Sequence, residues 1–228
     1  MTKRKELDDE IKRKLTHQFG KQFANFIDDS PTLRRDLRRL KELGVRIKRW
    51  NGRSGAYCRS EPDNRENPFI ALGSLDSPIM KAIYLAHEAY HCLHGNTPNE
   101  PDTTRISRKR YISMGITEET RACMHQSLVA HELWKSCNHA IPAWQMNLLL
   151  VYHTSGYSSM RDHVLAQKES IGNGSYEAIY GRIWDQAERK QAKERKTRKE
   201  QKQKQAQKTL RTRKSRTSRS RSQKLKAA

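Results

Sequence analysis

Long apolar runs are missing from this 228-residue sequence. None approaches the roughly 18 residues that a bilayer-spanning helix requires, and the N-terminal segment is charged where a secretory signal would be apolar. The expectation is a soluble, unsecreted protein, cytoplasmic or associated with a nucleoid or nucleus, with no membrane partner. Cysteine is scarce: Cys58, Cys92, Cys123 and Cys137 form no C-x-x-C pair. That excludes a disulfide scaffold and suits reduced thiols. Hydrophobic residues make up only 34% of the chain against 31% charged, too few for every segment to share one core. The segment 186–228 has almost no acidic residues, with 18 Lys and Arg against 3 Asp and Glu, so +15 of the formal net charge of +21 lies there. It also lacks aromatics, and Leu210 and Leu225 are its only large aliphatic residues. Its first half is composed of good helix formers, whereas 211–221 is expected to be disordered.

Elsewhere the apolar spacing is informative. Leu7, Ile11, Leu15, Phe19, Phe23 and Phe26 recur every three or four residues and predict one helix over about 5–26. Ser30-Pro31 opens a second, which Gly44 ends. From Val45 the period shortens to two, and Asn51-Gly52 reads as the turn of a hairpin returning through Ala56-Tyr57-Cys58. After a polar loop at 61–66, the run from Pro68 to Gly73 predicts a third strand with an edge exposed at its proline end. Asp76-Ser77-Pro78 starts a third helix that stops at Gly95, and Thr117-Glu118-Glu119-Thr120 reads as the capped start of a fourth. Further helices are expected near 144–152, 160–167 and 176–184. The fold class is therefore α+β, organised as N-terminal helices (1–44), a central core (45–135), C-terminal helices (136–185) and a basic low-complexity tail (186–228).

The third helix contains His87-Glu88-Ala89-Tyr90-His91, an H-E-x-x-H run. Residues four apart on a helix lie one turn above each other, so both imidazoles can meet one Zn²⁺ while Glu88 projects toward a zinc-bound water. Zinc lowers the pKa of that water toward roughly 7, and Glu88 can take its proton and pass it to a leaving amine. A surface helix with an accidental match is the plain alternative, but the capped start and the apolar residues Ile83 to Ala86 argue for a buried setting. Catalytic zinc needs a third protein ligand. His94 would have to reach back about 10.5 Å of helical rise from its own position to that of His87. Glu118 and Glu119 on the fourth helix are better placed, and Ala122, one turn after Glu119, would let the two helices approach closely.

His87-Glu88-x-x-His91 followed by Glu119-Thr120-Arg121-Ala122 resembles the gluzincin pattern of H-E-x-x-H plus E-x-x-A, in the minimal form of ImmA/IrrE-like metallopeptidases. The likeness covers about 45–135. It implies a small zincin-like domain in which a three-stranded sheet packs on the motif helix and a glutamate helix, with zinc as cofactor, Glu88 as catalytic base and His87, His91 and Glu119 as metal ligands. Glu118 stays open as the alternative carboxylate, the other acid then capping the helix. A histidine third ligand, His125, His131 or His139, would make the chain similar to SprT-like zincins instead. In zincins the strand before the motif helix commonly pairs with extended substrate, which would give Phe69 to Leu72 a docking role. Tyr111, Tyr152, His153 and Tyr157 are the candidates for stabilising an oxyanion. His131-Glu132 begins a second such motif but lacks the second histidine and reads as structural. Trp134, Trp144, Tyr152 and Trp184 are expected to fill the core between the C-terminal helices.

Two functions follow as expectations. One is a zinc metallopeptidase acting on a protein or peptide, whose tail tethers it to nucleic acid without sequence preference through 186–228. The other is a non-enzymatic basic nucleic-acid-binding protein carrying an accidental motif.

Overall fold

The computed structural model describes residues 2–59, 68–137, 141–169 and 174–225, so the loop expected at 61–66 lies outside the described residues. Three N-terminal helices, α1 (Thr2–Phe19), α2 (Lys21–Asp29) and α3 (Pro31–Glu42), stand where two were expected. Gly20, at φ 93°, divides the first stripe in a left-handed conformation that a side chain would resist. Phe19 and Phe23 still pack across the break, their ring centres 5.1 Å apart. Ser30 caps α3 by accepting from Leu33 N at 3.0 Å, and Pro31 fills the first helical position where no N–H is needed.

The sheet corrects the expected hairpin. Strands β1 (Arg46–Trp50) and β2 (Ala56–Arg59) do not pair; β3 (Phe69–Gly73) lies between them, parallel to β1 and antiparallel to β2. Burial explains the order. Every residue of β3 is buried, whereas β1 is exposed at Arg46 and Arg49 and β2 at Tyr57 and Arg59, and a run apolar on both faces belongs at the centre of a sheet. With both of its edges bonded, β3 has no backbone left for substrate, so a docking role for Phe69 to Leu72 is excluded. Among the described residues the edge beside the motif helix belongs to β2.

The remaining elements are α4 (Pro78–His94), α5 (Arg108–Cys137), α6 (Ala143–Ala166), a short antiparallel ladder of β4 (Lys168–Glu169) with β5 (Gly174–Ser175), and α7 (Tyr176–Leu225). Ser77 caps α4 and Pro78 opens it, as the sequence predicts. The sheet packs on α4, which in turn packs on α5, around a core that includes Phe23, Leu33, Ile70, Ile83, Leu85 and Leu133. Each such side chain, fully buried, stabilises the fold by about 1.5–3 kcal/mol. The architecture is mostly helical with a small mixed sheet, broadly α+β.

Helix α5 starts at Arg108, well before the expected Thr117. Thr117 and Thr120 are not caps: their hydroxyls return to the carbonyls of Ser113 and Ile116, both at 2.7 Å, inside a continuous helix. In α6, a kink at Gly156 joins what the sequence presents as two helices. Glu132 is structural: it accepts from Ser30 Oγ (2.5 Å), Thr32 N (3.1 Å) and Thr32 Oγ1 (2.7 Å), tying α5 to the start of α3. Trp134 and Trp144 do not fill the core, each being 43% exposed, while Trp184 is half-buried with its indole N–H on the Ile106 carbonyl at 2.9 Å.

The tail also differs from expectation. Residues 176–225 form one helix that runs through 211–221, where disorder was expected. Its first turns are nucleated by packing against α5, and from there each added Lys, Arg, Gln, Glu or Ala extends the helix at little cost. From 192 to 209 its residues are exposed. Among the described residues no helix is long and apolar enough to cross a membrane.

Candidate metal centre

The α4 pitch places the two motif histidines one turn apart, rings at 62° with centres 4.9 Å apart and their Nε2 atoms facing at 3.2 Å. From α5, Glu119 brings Oε2 to 3.3 Å from His87 Nε2 and 3.6 Å from His91 Nε2. Among the described residues, His87, His91 and Glu119 form a group able to hold a metal ion. Ala122 is buried one turn beyond Glu119, where a small residue keeps α5 close to α4.

The donor set fits a dication on two independent counts. Ligands at about 2.0–2.2 Å from a tetrahedral ion lie about 3.3–3.6 Å from each other, close to the three separations found. Glu119 Oε2 is buried and without a hydrogen-bond partner, the imidazole nitrogens lying at 3.3 and 3.6 Å from it. A buried carboxylate oxygen left without a donor is costly unless something else neutralises it.

Partners behind the ligands set the histidine tautomers. His91 Nδ1 lies 2.8 Å from Glu118 Oε1, and His87 Nδ1 lies 3.1 Å from Gln126 Oε1. Both partners are acceptors, so the neutral form of each ring carries its proton on Nδ1 and leaves Nε2, turned inward, free for a metal. Gln126 is held in turn, donating to Gln145 Oε1 at 2.7 Å. Glu118 also accepts from Asn96 N (3.0 Å) and Thr97 N (2.9 Å), holding the segment that follows α4. The two adjacent glutamates thus divide the work. Glu119 faces the Nε2 atoms, and Glu118 orients His91 without capping any helix start.

Charge follows the same geometry. Burial opposes protonation of His91, but Glu118 and Glu119 outweigh it and lift its pKa to about 10. His87 is also raised, with Cys123 and Glu119 overcoming burial. Burial opposes ionisation of Glu119, yet the two histidines hold its carboxyl well below the usual range. The metal-free pocket therefore attracts positive charge.

A cleft of about 900 Å³ opens onto these atoms, lined by Glu88, Tyr57 and Cys58 of β2, Tyr84, Trp144 and Ile179 among others. The Cys58 thiol is pushed up by its contact with Cys92, by burial and by the Glu88 carboxylate, which lines the same cleft. Cys58, Cys92 and Cys123 are free thiols.

The other sequence candidates lie elsewhere. His125 pairs with buried Asp36 at 2.6 Å, His131 packs on His153 with ring centres 4.5 Å apart, and His94 packs on Tyr90. His139 lies outside the described residues. Tyr111 lines the cleft but donates to the Pro98 carbonyl at 2.8 Å; Tyr152 packs on His153 and does not line the cleft, nor do His153 and Tyr157. Sequence reasoning missed Tyr180, whose hydroxyl donates to Glu119 Oε1 at 2.8 Å, and the Gln126–Gln145 pair. Burial and the Glu119 charge push the Tyr180 phenol far up, so the donor keeps its proton.

No protein-family model, curated protein or solved structure matches this chain.

Proposed function

We propose that the chain is a zinc-dependent metallopeptidase of the minimal gluzincin type, with His87, His91 and Glu119 as ligands and Glu88 as catalytic base. The observation that carries this reading is the buried Oε2 of Glu119, without a hydrogen-bond partner, facing the inward Nε2 atoms of His87 and His91 on the floor of an open cleft that also contains Glu88. A dication bound there would supply Lewis acidity, polarising a peptide carbonyl and making water easier to deprotonate. Glu88, next to His87 on the helix and exposed to the cleft, takes the proton from the attacking water and returns it to the leaving amine. The outer edge of β2, whose residues Gly55 to Cys58 line the cleft, offers backbone groups to an extended peptide. This assigns to β2 the docking role that the sequence suggested for β3. The exposed arm of α7 attracts nucleic acid through charge alone, since it carries no aromatic residue on which a base could stack.

Metal content and cleavage test the proposal together. The purified protein, never exposed to chelator, is expected to carry close to one zinc per chain. Glu88→Gln is expected to retain that zinc while peptide cleavage falls by about two to four orders of magnitude. A folded protein without metal that still binds nucleic acid would favour the non-enzymatic reading, for which the exposed basic arm is the supporting observation. Undiminished cleavage by Glu88→Gln would remove that residue as the base.

A further inference from the structure

We infer that Tyr180, on the second turn of α7, is a positioning residue of the metal centre, holding Glu119 so that one carboxylate oxygen alone faces the ion. The inference rests on the zinc reading above and deepens it. Tyr180 donates to Oε1 of Glu119 at 2.8 Å, and the other oxygen, Oε2, is the donorless one turned toward His87 and His91. Occupation of Oε1 removes it as a competing ligand and stops the carboxylate from rotating between one-oxygen and two-oxygen contact.

The ring is seated with equal care. Tyr111, Gly115 and Glu119 follow one another at single turns along one face of α5. The Tyr180 ring lies directly over Gly115, so closely that a Cβ there would sit 2.5 Å from its carbons. Tyr111 meets the same ring edge-on, with centres 5.9 Å apart. A bulkier residue at position 115 would lift the hydroxyl away from Glu119.

The backbone under Tyr180 is fixed by the following turns of α7. Trp184 donates to the Ile106 carbonyl at 2.9 Å, Asp185 accepts from Arg108 at 2.9 and 3.3 Å, and Gln191 accepts from Thr103 N at 3.1 Å. These contacts lie on one face of the helix and tie it to α5 and the segment before it. The third ligand, on α5, thus takes its orientation from a helix 61 residues further along the chain. Outer partners of this kind typically change metal affinity by about 10–100-fold when removed.

Tyr180→Phe removes one oxygen and leaves the ring in its slot over Gly115. Zn²⁺ affinity, measured by chelator competition, is expected to weaken by about 10–100-fold, with a shifted visible spectrum for the Co²⁺-loaded protein and unchanged circular dichroism without metal. In a Glu119→Ala background, where the hydroxyl has nothing to orient, Tyr180→Phe is expected to change Zn²⁺ affinity no further. Wild-type affinity and spectrum in Tyr180→Phe would overturn the inference while leaving the zinc reading intact. An equal loss in the Glu119→Ala background would also overturn it, showing that Tyr180 acts through packing. Absence of Zn²⁺ binding by the unaltered protein would remove both readings at once.

Discussion

Protons and metal compete for the same two nitrogens. With Glu119 between them, the metal-free imidazoles hold protons more tightly than free histidine, His91 up to about 10, so metal uptake near neutrality must expel them. The sign follows. Lower pH favours the protonated rings and weakens binding, and higher pH strengthens it until the folded-state pKa is passed. Apparent Zn²⁺ affinity between pH 6 and 8.5 is expected to rise by roughly tenfold per pH unit for each proton displaced, as chelator competition in matched buffers would reveal. A flat profile would mean that the nitrogens are already free and that the charge reading of the pocket is wrong. The histidines and Glu88 were legible in the sequence because helical pitch alone brings them together. The register of the two glutamates was not, because both lie on one turn of α5. Which of them meets Nε2 and which meets Nδ1 depends on how α5 crosses α4. Tyr180 and Gln145 were illegible for a similar reason: each acts only through a partner far away in the chain.

Helix starts marked by serine and proline were legible at α3 and α4, where one side chain and one backbone donor decide the matter locally. The start of α5 was not. Its first residues, Arg108-Lys109-Arg110, are polar, and the contacts that stabilise the early turns come from distant elements, from α7 through Tyr180 and Asp185 and from α6 against Ile116, which local spacing cannot reveal. The order of the sheet was hidden likewise, since Asn51-Gly52 satisfies the rule for a tight turn while the apolar β3 claims the place between its flanking strands. Glu132 illustrates how a motif fragment can serve an element. It satisfies three donors at the start of α3, among them the hydroxyls of buried Ser30 and Thr32. Removing an acceptor from buried donors costs about 1–3 kcal/mol. Glu132→Ala is accordingly expected to lower unfolding stability by about 2–3 kcal/mol in a denaturant melt while leaving zinc content unchanged. Loss of zinc in that variant would mean that α3 and the metal centre are coupled more tightly than their separation on α5 implies.

At the scale of the molecule, α7 joins the basic arm to the residue that meets Glu119: Tyr180 lies near its start and the charged stretch follows along the same helix. Hydrogen bonds from Tyr180 to Gln191 tie α7 to the body, and beyond Gln191 the sequence carries 16 Lys and Arg against 2 Asp and Glu. A helix of 50 residues is about 75 Å long, so most of that charge stands clear of the cleft. Under the proposed function, such an arm would hold the body near a nucleic acid while the cleft stays open to protein, which reconciles the proposed peptidase site with a net charge of +21. If 6–10 phosphates are engaged, affinity for duplex DNA should fall by about 10³–10⁵ between 50 and 200 mM salt, and random sequences should bind alike. A chain ending at Gln191 keeps the hydrogen bonds that Tyr180, Trp184, Asp185, Lys190 and Gln191 make with the body. It is therefore expected to fold, to retain zinc and Glu88-dependent cleavage of short peptides, and to lose DNA binding in a gel-shift titration. Retained, salt-insensitive binding by the shortened chain would place the nucleic-acid surface on the body, whereas loss of zinc would show that the arm beyond Gln191 helps to hold Tyr180 against Glu119.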